Sequence, residues 1–284
     1  SANSNAINIS CGASLISERY VLSAAHCVAD VNAQDINVWI GGYNLANSSE
    51  GRRVSVQQIY THEEYDILSF NKDIAVLELS ELVTDIEPIK LITPAIEASI
   101  NEGDLLTIMG WGNLSGESDV SDYPLILQET TVPLYNRAAC LAAYGAGEIT
   151  EFMMCAGYIS GGQDTCQGDS GGPLVYEYQG QSYQAGVVSF GNGCALANSP
   201  GIYSRVASLL NWVEGKQQGV SYSQRMNIGF IEPEYSNNEV ITITNIGTQL
   251  ISLRNIQVQN EANVVNLAIL ENNCSAVLLS NQSC

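Results

Sequence analysis

Asp164-Thr165-Cys166-Gln167-Gly168-Asp169-Ser170-Gly171-Gly172-Pro173 is the stretch on which the reading of the chain turns. It sets one hydroxyl, Ser170, among glycines, where the backbone can turn tightly and leave a side chain exposed. The amides of Gly168 and Ser170 can both be aimed at one point beside that hydroxyl. Acyl transfer needs such a point, because its tetrahedral intermediate carries negative charge on oxygen. Taken alone, the decapeptide also fits a Gly/Ser turn between two strands.

The chain has 284 residues, enough for one large or two ordinary domains. Apolar residues make up 45%, an ordinary share, and no apolar run reaches the length of a membrane-spanning helix. The start, Ser1-Ala2-Asn3-Ser4-Asn5, carries no signal peptide, so an export segment is expected to have been removed or to lie outside this sequence. A formal charge of −20 disfavours nucleic acid and anionic membrane as partners and suits a secreted protein that handles cationic polypeptides. The eight cysteines are even in number and none falls in a C-x-x-C pair, which argues against a zinc site or redox motif. Roughly a hundred pairings are open to eight cysteines, so spacing alone connects none of them.

Only two histidines are present, His26 and His62. A serine hydrolase needs an imidazole that accepts the hydroxyl proton near neutral pH. His62, in Thr61-His62-Glu63-Glu64-Tyr65, lies in an acidic stretch that reads as an exposed loop. His26 closes the strand-like run Tyr20-Val21-Leu22-Ser23-Ala24-Ala25-His26-Cys27 and is the preferred base; a structural core histidine is the ordinary reading for either.

Gly-Asp-Ser-Gly-Gly-Pro at 168–173 resembles the nucleophile segment of the trypsin-like (chymotrypsin-fold) serine proteases, and the histidine block matches the same family. The resemblance runs over roughly residues 7–215. It implies an all-β domain of two antiparallel β-barrels with a short C-terminal helix, and a catalytic set shared between the barrels. By the same resemblance Ser170 is the nucleophile, His26 the general base, and Asp73, in Asn71-Lys72-Asp73-Ile74-Ala75-Val76-Leu77, the carboxylate that orients His26. For Asp73 the ordinary alternative is a turn or capping aspartate. Gly168 and Ser170 supply the oxyanion hole. The implied disulfides are Cys11–Cys27, Cys140–Cys155 and Cys166–Cys194, which leaves Cys274 and Cys284 to each other. Such a set points to an oxidising, extracellular location.

Ile36–Gly42 and Val54–Ile59 read as alternating strands, Leu125–Pro133 as a further strand candidate and Ala185–Gly191 as a strand, while Leu105–Gly112 matches the family at the opening of its second lobe. A lobe-to-lobe crossing is expected near Thr93–Ile96, a short helix over Tyr135–Cys140, and a mobile polar loop over Asn113–Tyr123. By resemblance, Ser189, Phe190 and Gly191 end a strand whose backbone pairs with substrate. Gly191 and Gly201 line the primary pocket and Asp164 lies at its base, with Thr165 beside it narrowing it slightly. This implies cleavage after Arg or Lys, since two missing side chains leave room and the acid pairs with the positive end. In animal trypsins a loop corresponding to Gly42–Arg53 binds calcium. Here Gly42 and Arg52 or Arg53 stand where carboxylates are needed, so that site is read as lost and no metal or cofactor is expected.

Past Leu209-Leu210-Asn211-Trp212-Val213, read as the C-terminal helix, the resemblance ends. The domain reading is a protease domain at 1–215, a polar linker at 216–226, and at 227–284 a small immunoglobulin-like β-sandwich of the kind appended to some bacterial secreted enzymes, expected to be cut short at Cys284. A cell-surface ligand or anchor for that module is left open. Family members are made as zymogens: an activating protease frees an N-terminus whose ammonium pairs with the acid matching Asp169. No Ile-Val-Gly-Gly-like segment occurs in the lead-in Ser1–Ser10, so Asp169 can also be read as a turn residue. Two other readings remain at this stage: a non-enzymatic binding protein on a protease scaffold, and a serine esterase, which would have no use for a basic-residue pocket.

Overall fold

The structure is a computed structural model, and it describes residues 9–116, 120–145, 147–217, 220–222, 243–245, 251–252, 277–278 and 284. In the first half of the chain β1 (Ser14–Leu15), β2 (Tyr20–Ser23), β3 (Asn37–Ile40), β4 (Arg52–Thr61) and β5 (Ala75–Leu79) form an antiparallel sheet in the order β1-β2-β5-β4-β3. Alternation explains β4: Val54 and Val56 face inward while Arg53 and Ser55 face out. A register shift between Val56 and Gln58 changes the phase, so that Ile59 comes opposite Leu77. Val21, Val54, Val56, Leu77, Leu79 and Val83 form the core of this half-barrel. Each fully buried aliphatic side chain of this kind contributes about 1.5–3 kcal/mol.

The second sheet contains β6 (Lys90–Leu91), β7 (Leu105–Gly110), β8 (Gln128–Pro133), β9 (Met153–Ala156), β10 (Pro173–Tyr178), β11 (Gln181–Phe190) and β12 (Gly201–Arg205). Its order is β8-β7-β10-β11-β12-β9, with β6 added in parallel on β11. The two half-barrels and a C-terminal helix give the all-β architecture that the resemblance implies. The crossing comes earlier than expected. Ile89 N–H still donates to Leu15 of the first sheet, whereas Lys90 already pairs with Tyr183 of the second. Thr93–Ile96 instead opens the short helix α1 (Pro94–Glu97), capped by the Thr93 hydroxyl, with proline at its first position. Helix α2 (Arg137–Tyr144), capped by Asn136, runs longer than the sequence reading. Helix α3 (Val206–Gln217) follows β12.

Cys11–Cys27, Cys140–Cys155 and Cys166–Cys194 are bonded as expected. Cys284 is also disulfide-bonded; its expected partner, Cys274, lies outside the described residues. The chain divides into two units, Ser1–Leu210 and Asn211–Cys284. In the second, β13 (Val220–Tyr222) pairs with β14 (Ile243–Asn245), and β15 (Ile251–Ser252) with β16 (Val277–Leu278), both antiparallel. The remainder of the 227–284 sandwich expectation falls outside the described residues.

One local expectation is corrected. His62 is not exposed; it is 4% accessible, its N–H donates to Ile74 beyond the β4–β5 ladder, and its Nδ1 accepts from the Glu64 amide. In the Asn113–Tyr123 loop, Asn113 makes several hydrogen bonds to described residues. Asn113 Oδ1 accepts from the Ser115 and Asp122 amides, and its Nδ2 donates to the Val120 carbonyl.

Candidate active site

The two sheets meet where Gly12 N–H donates to the Ser170 carbonyl at 2.7 Å. Ser23 Oγ, at the end of β2, donates to the Gly12 carbonyl, and Cys11 is bonded to Cys27 beside His26. On the other side Gly171 N–H donates to the Val188 carbonyl of β11. The Ser170 turn is thus held by both half-barrels.

His26 lies in a one-turn 3₁₀ segment, Ala25–Cys27, directly after β2. Asp73, fully buried, holds it twice: the His26 amide donates to Oδ1 at 2.8 Å, and Nδ1 lies 2.7 Å from Oδ2. Ser189 Oγ donates to the same Oδ2 at 2.5 Å, and Ser204 Oγ to the Asp73 carbonyl. A buried carboxylate with three donors is largely compensated for its lost hydration. With Nδ1–H given to Asp73, Nε2 is left as the basic nitrogen, on a side chain still 21% exposed. Among the described residues no hydrogen bond joins Ser170 Oγ to Nε2, whose near neighbour is Cys27 Sγ at 3.7 Å. Such contacts are commonly long without substrate and tighten in the complex.

Gly168 has φ of +99°, a conformation that disfavours side chains, and the Gln167 carbonyl accepts from Asn113 N–H at 2.9 Å. In a trans peptide the N–H opposes the carbonyl, so the Gly168 amide points away from Asn113. Among the described residues neither it nor the Ser170 amide is spent on a backbone acceptor.

Asp164 is six residues before Ser170 in the same segment. Its Oδ1 accepts from the Thr165 amide and Oδ2 from the Ala195 amide, and burial pushes its pKa up to about 6. A Cβ on Gly201 would come within 2.8 Å of Asp164 Oδ1, whereas one on Gly191 would meet nothing closer than 3.5 Å. Thr165 Oγ1 lies 3.3 Å from the Tyr203 hydroxyl. The Cys166–Cys194 bridge ties the segment carrying Asp164 to the one carrying Ala195. The Asp169 carboxylate accepts from the Gly112 and Cys166 amides, and Asp169 and Asp164 both line a cavity of about 350 Å³. Burial raises its pKa, partly offset by those two amides.

These observations converge on one assignment, and comparison with known proteins decides it. The trypsin family profile matches residues 1–213. This chain belongs to the trypsin family. It is 42% identical over 208 residues to Trypsin 5G1 of Aedes aegypti, covering 72% of this chain and 74% of the mosquito protein. It is 38% identical over 205 residues to Trypsin I-P1 of Gallus gallus, covering 72% and 78%. Transmembrane protease serine 11B of Homo sapiens is 39% identical over 209 residues, but only 49% of that protein is covered. The chain is therefore a trypsin-like serine protease, a hydrolase acting on polypeptides. These relatives are animal proteins, and the matched region stops short of the expected β-sandwich. Among the described residues no helix is long and apolar enough to cross a membrane.

Sequence reasoning missed an aromatic wall. The Phe70 ring meets His26 edge-on at 5.7 Å and Phe190 at 5.3 Å, and Tyr144 meets Phe190 at 6.0 Å. An aromatic residue three positions before Asp73 was visible, but its left-handed backbone (φ +54°), which sets where the ring goes, has no signature in a phenylalanine.

The Gly42–Arg53 loop has one carboxylate, Glu50. It accepts from the Tyr43 and Asn44 amides and the Asn47 side chain, while Arg52 pairs with Asp85. The one cluster of three metal-ligand types among the described residues, Cys11, His26 and Cys27, has its sulfurs joined in a disulfide. EDTA is accordingly expected to leave both kcat/KM and Tm unchanged; a calcium-dependent rise of several degrees in Tm would mean that this loop is rebuilt around the ion.

Proposed function

We propose that the chain is a secreted serine endopeptidase, made as a zymogen, that hydrolyses peptide bonds after Arg or Lys. Ser170 Oγ attacks the scissile carbonyl and passes its proton to His26 Nε2. Asp73 holds the tautomer that leaves Nε2 free and stabilises the imidazolium that forms. The Gly168 and Ser170 amides receive the oxyanion. The imidazolium then protonates the departing amine, and a water activated by His26 releases the acyl group by the same steps in reverse. Ser189, Phe190 and Gly191 carry the substrate backbone as an added strand. Asp169, bordering its cavity, is the acceptor for an ammonium freed by an activating protease.

The observation that supports the specificity is the Asp164 carboxylate, held by the Thr165 and Ala195 amides directly against Gly201, where a Cβ would come within 2.8 Å of Oδ1. The test is kcat/KM of the activated enzyme on matched peptides with Arg, Lys, Phe, Leu or Ala at the cleaved position. Arg is expected first and Lys close behind, since a guanidinium spans both carboxylate oxygens and an ammonium does not. Efficient cleavage after Phe or Leu would overturn the pocket assignment.

The raised pKa of Asp164 gives a pH signature. The carboxyl is charged above about 6 in the free enzyme. Its attraction for a cationic side chain is therefore present above that pH and lost as pH falls through it. To separate this from any pH dependence of the chemical step itself, kcat/KM for an Arg substrate should be divided by the phosphonylation rate of Ser170 with a small neutral reagent. That ratio is expected to fall about tenfold between pH 7 and pH 5. A ratio flat to pH 4.5 would contradict a buried Asp164.

A further inference from the structure

Phe70, Asn71, Lys72 and Asp73 run consecutively; the outer two reach the site and the inner two reach away from it. Phe70 packs on His26 and Phe190, and Asp73 binds His26 and Ser189. The two residues between them bind a turn of the second sheet. Asn71 Oδ1 accepts from Thr150 Oγ1 at 2.7 Å. Lys72, only 4% exposed, places its ammonium 4.5 Å from the centroid of the Phe152 ring and 2.8 Å from Glu64 Oε2. Local preference opposes this arrangement, because Phe70 and Lys72 both have left-handed backbones, φ +54° and +55°, and a lysine side chain is seldom so buried. Packing against a firm partner has to hold it.

The partner is firm. Every carbonyl from Ile149 to Met153 is taken. Arg137 donates to Ile149, Thr150 and Met153; the Arg205 side chain donates to Glu151 and its amide to Phe152. Arg205 is itself fixed by Glu97. The turn that carries Thr150 and Phe152 is thus anchored at every residue.

We propose that Lys72 is a positioning residue of the active site: its contacts with Phe152 and Glu64 fix the left-handed turn that places Asp73 behind His26 and Phe70 beside it. This rests on the triad reading above. An ammonium over an aromatic face is attracted more strongly where water is excluded, as it is here. The carboxylate it positions is the next residue, so a shift of the turn is a shift of Asp73.

The test uses Lys72→Met, Lys72→Arg and Phe152→Leu in the full chain, with active sites counted by phosphonate titration. Lys72→Met is expected to lower kcat per titrated site about tenfold, the scale of a small misplacement, with KM for an Arg peptide nearly unchanged. Lys72→Arg should restore most of kcat, since a guanidinium also pairs with Glu64 and stacks on Phe152. Phe152→Leu should resemble Lys72→Met, and the double variant should be little worse than either. If Lys72→Met fails to fold, Phe152→Leu carries the test. A lower Tm with wild-type kcat per titrated site would overturn the proposal, leaving Lys72 with a structural role only. So would a Lys72→Arg protein as slow as Lys72→Met. A wild-type chain that takes up no phosphonate at Ser170 would instead bring down the triad reading on which the proposal rests.

A separate observation concerns the chain as a substrate of its own specificity. It has ten Lys and Arg against thirty Asp and Glu. Arg52, Arg53, Lys90, Arg137, Arg205 and Lys216 all lie within strands or helices, and Arg19 is in the tight turn before β2. Of the connections between Ala24 and Pro200, only the one with buried Lys72 contains a Lys or Arg at all. A substrate must lie extended in the cleft, which these eight bonds cannot do without local unfolding. We infer that residues 9–217 are built to resist cleavage by their own kind, on the strength of the Arg/Lys reading. The measurement is peptide mapping of activated enzyme after long incubation, with a reduced, unfolded Ser170→Ala copy added as a control substrate. The eight bonds should stay intact in the folded enzyme while the unfolded copy is cut at them. A Leu68→Arg variant, with the new side chain in a loop position 90% exposed, should be cut there. Cleavage of folded wild type after Arg53 or Lys90 as fast as at the new site would overturn the inference. An unfolded copy left uncut at Lys and Arg would instead refute the specificity reading.

Discussion

Ser170→Ala is expected to lower kcat of the activated enzyme by about 10⁶-fold, with Tm within about one degree of wild type. The substitution removes one oxygen that makes no hydrogen bond among the described residues, so the fold loses little. On the proposed mechanism the chemistry loses its nucleophile. His26→Ala should cost nearly as much, because an unactivated serine hydroxyl is a poor nucleophile at neutral pH. Combining the two should add little, since both act in the same step. Asp73→Asn should cost on the order of 10⁴-fold, as the amide would turn the imidazole to the wrong tautomer. Tm of that variant should also fall, since the His26 amide, Nδ1 and Ser189 Oγ all converge on this one carboxylate. An activated Ser170→Ala protein that kept more than a few percent of wild-type turnover would refute the assignment.

Asp164→Ser is the second large effect. On the proposed specificity, an Arg or Lys side chain would enter beside Gly201 and meet a carboxylate already oriented by the Thr165 and Ala195 amides. A neutral side chain leaves that carboxylate buried and unpaired, at a cost of roughly 3–5 kcal/mol. That corresponds to a loss of about two to four orders of magnitude in kcat/KM. Removing Asp164 should reverse the balance: turnover of Arg and Lys peptides collapses while Leu or Phe peptides gain. Phosphonylation of Ser170 by a small neutral reagent should persist, because Asp164 makes no contact with His26 or Asp73. Thr165 is the residue best placed to alter the Arg/Lys margin, through its hydroxyl contact with Tyr203.

How much of this was legible depended on whether a residue's role is written in its type. Ser170 among its glycines, His26 before Cys27 and Asp73 before an apolar strand are chemistry-bearing types at fixed spacings, and the structure brings His26 and Asp73 into direct contact. Gly201 was named for its missing side chain, and the structure sets it against Asp164. The strands were legible through alternation, although the Val56–Gln58 irregularity in β4 left no trace in the sequence. His62 was misjudged because its acidic neighbours suggested a surface loop; its backbone continues toward β5 and turns the ring inward. Phe70 and Lys72 were missed for a related reason: their importance lies in positive φ values that their side chains disfavour, and no local rule predicts those. The turn they contact depends on Arg137 and Arg205 filling carbonyls far along the chain, a tertiary fact with no local pattern.

The most direct test of the account is covalent. An aryl phosphonate ester bearing an arginine-like side chain, and its phenylalanine counterpart, would be reacted with the activated chain and the adduct located by peptide mass mapping. The account predicts one adduct, on Ser170, formed at least a hundredfold faster with the arginine-like reagent and suppressed in Asp164→Ser. An adduct on another residue, or equal rates with the two reagents, would contradict it.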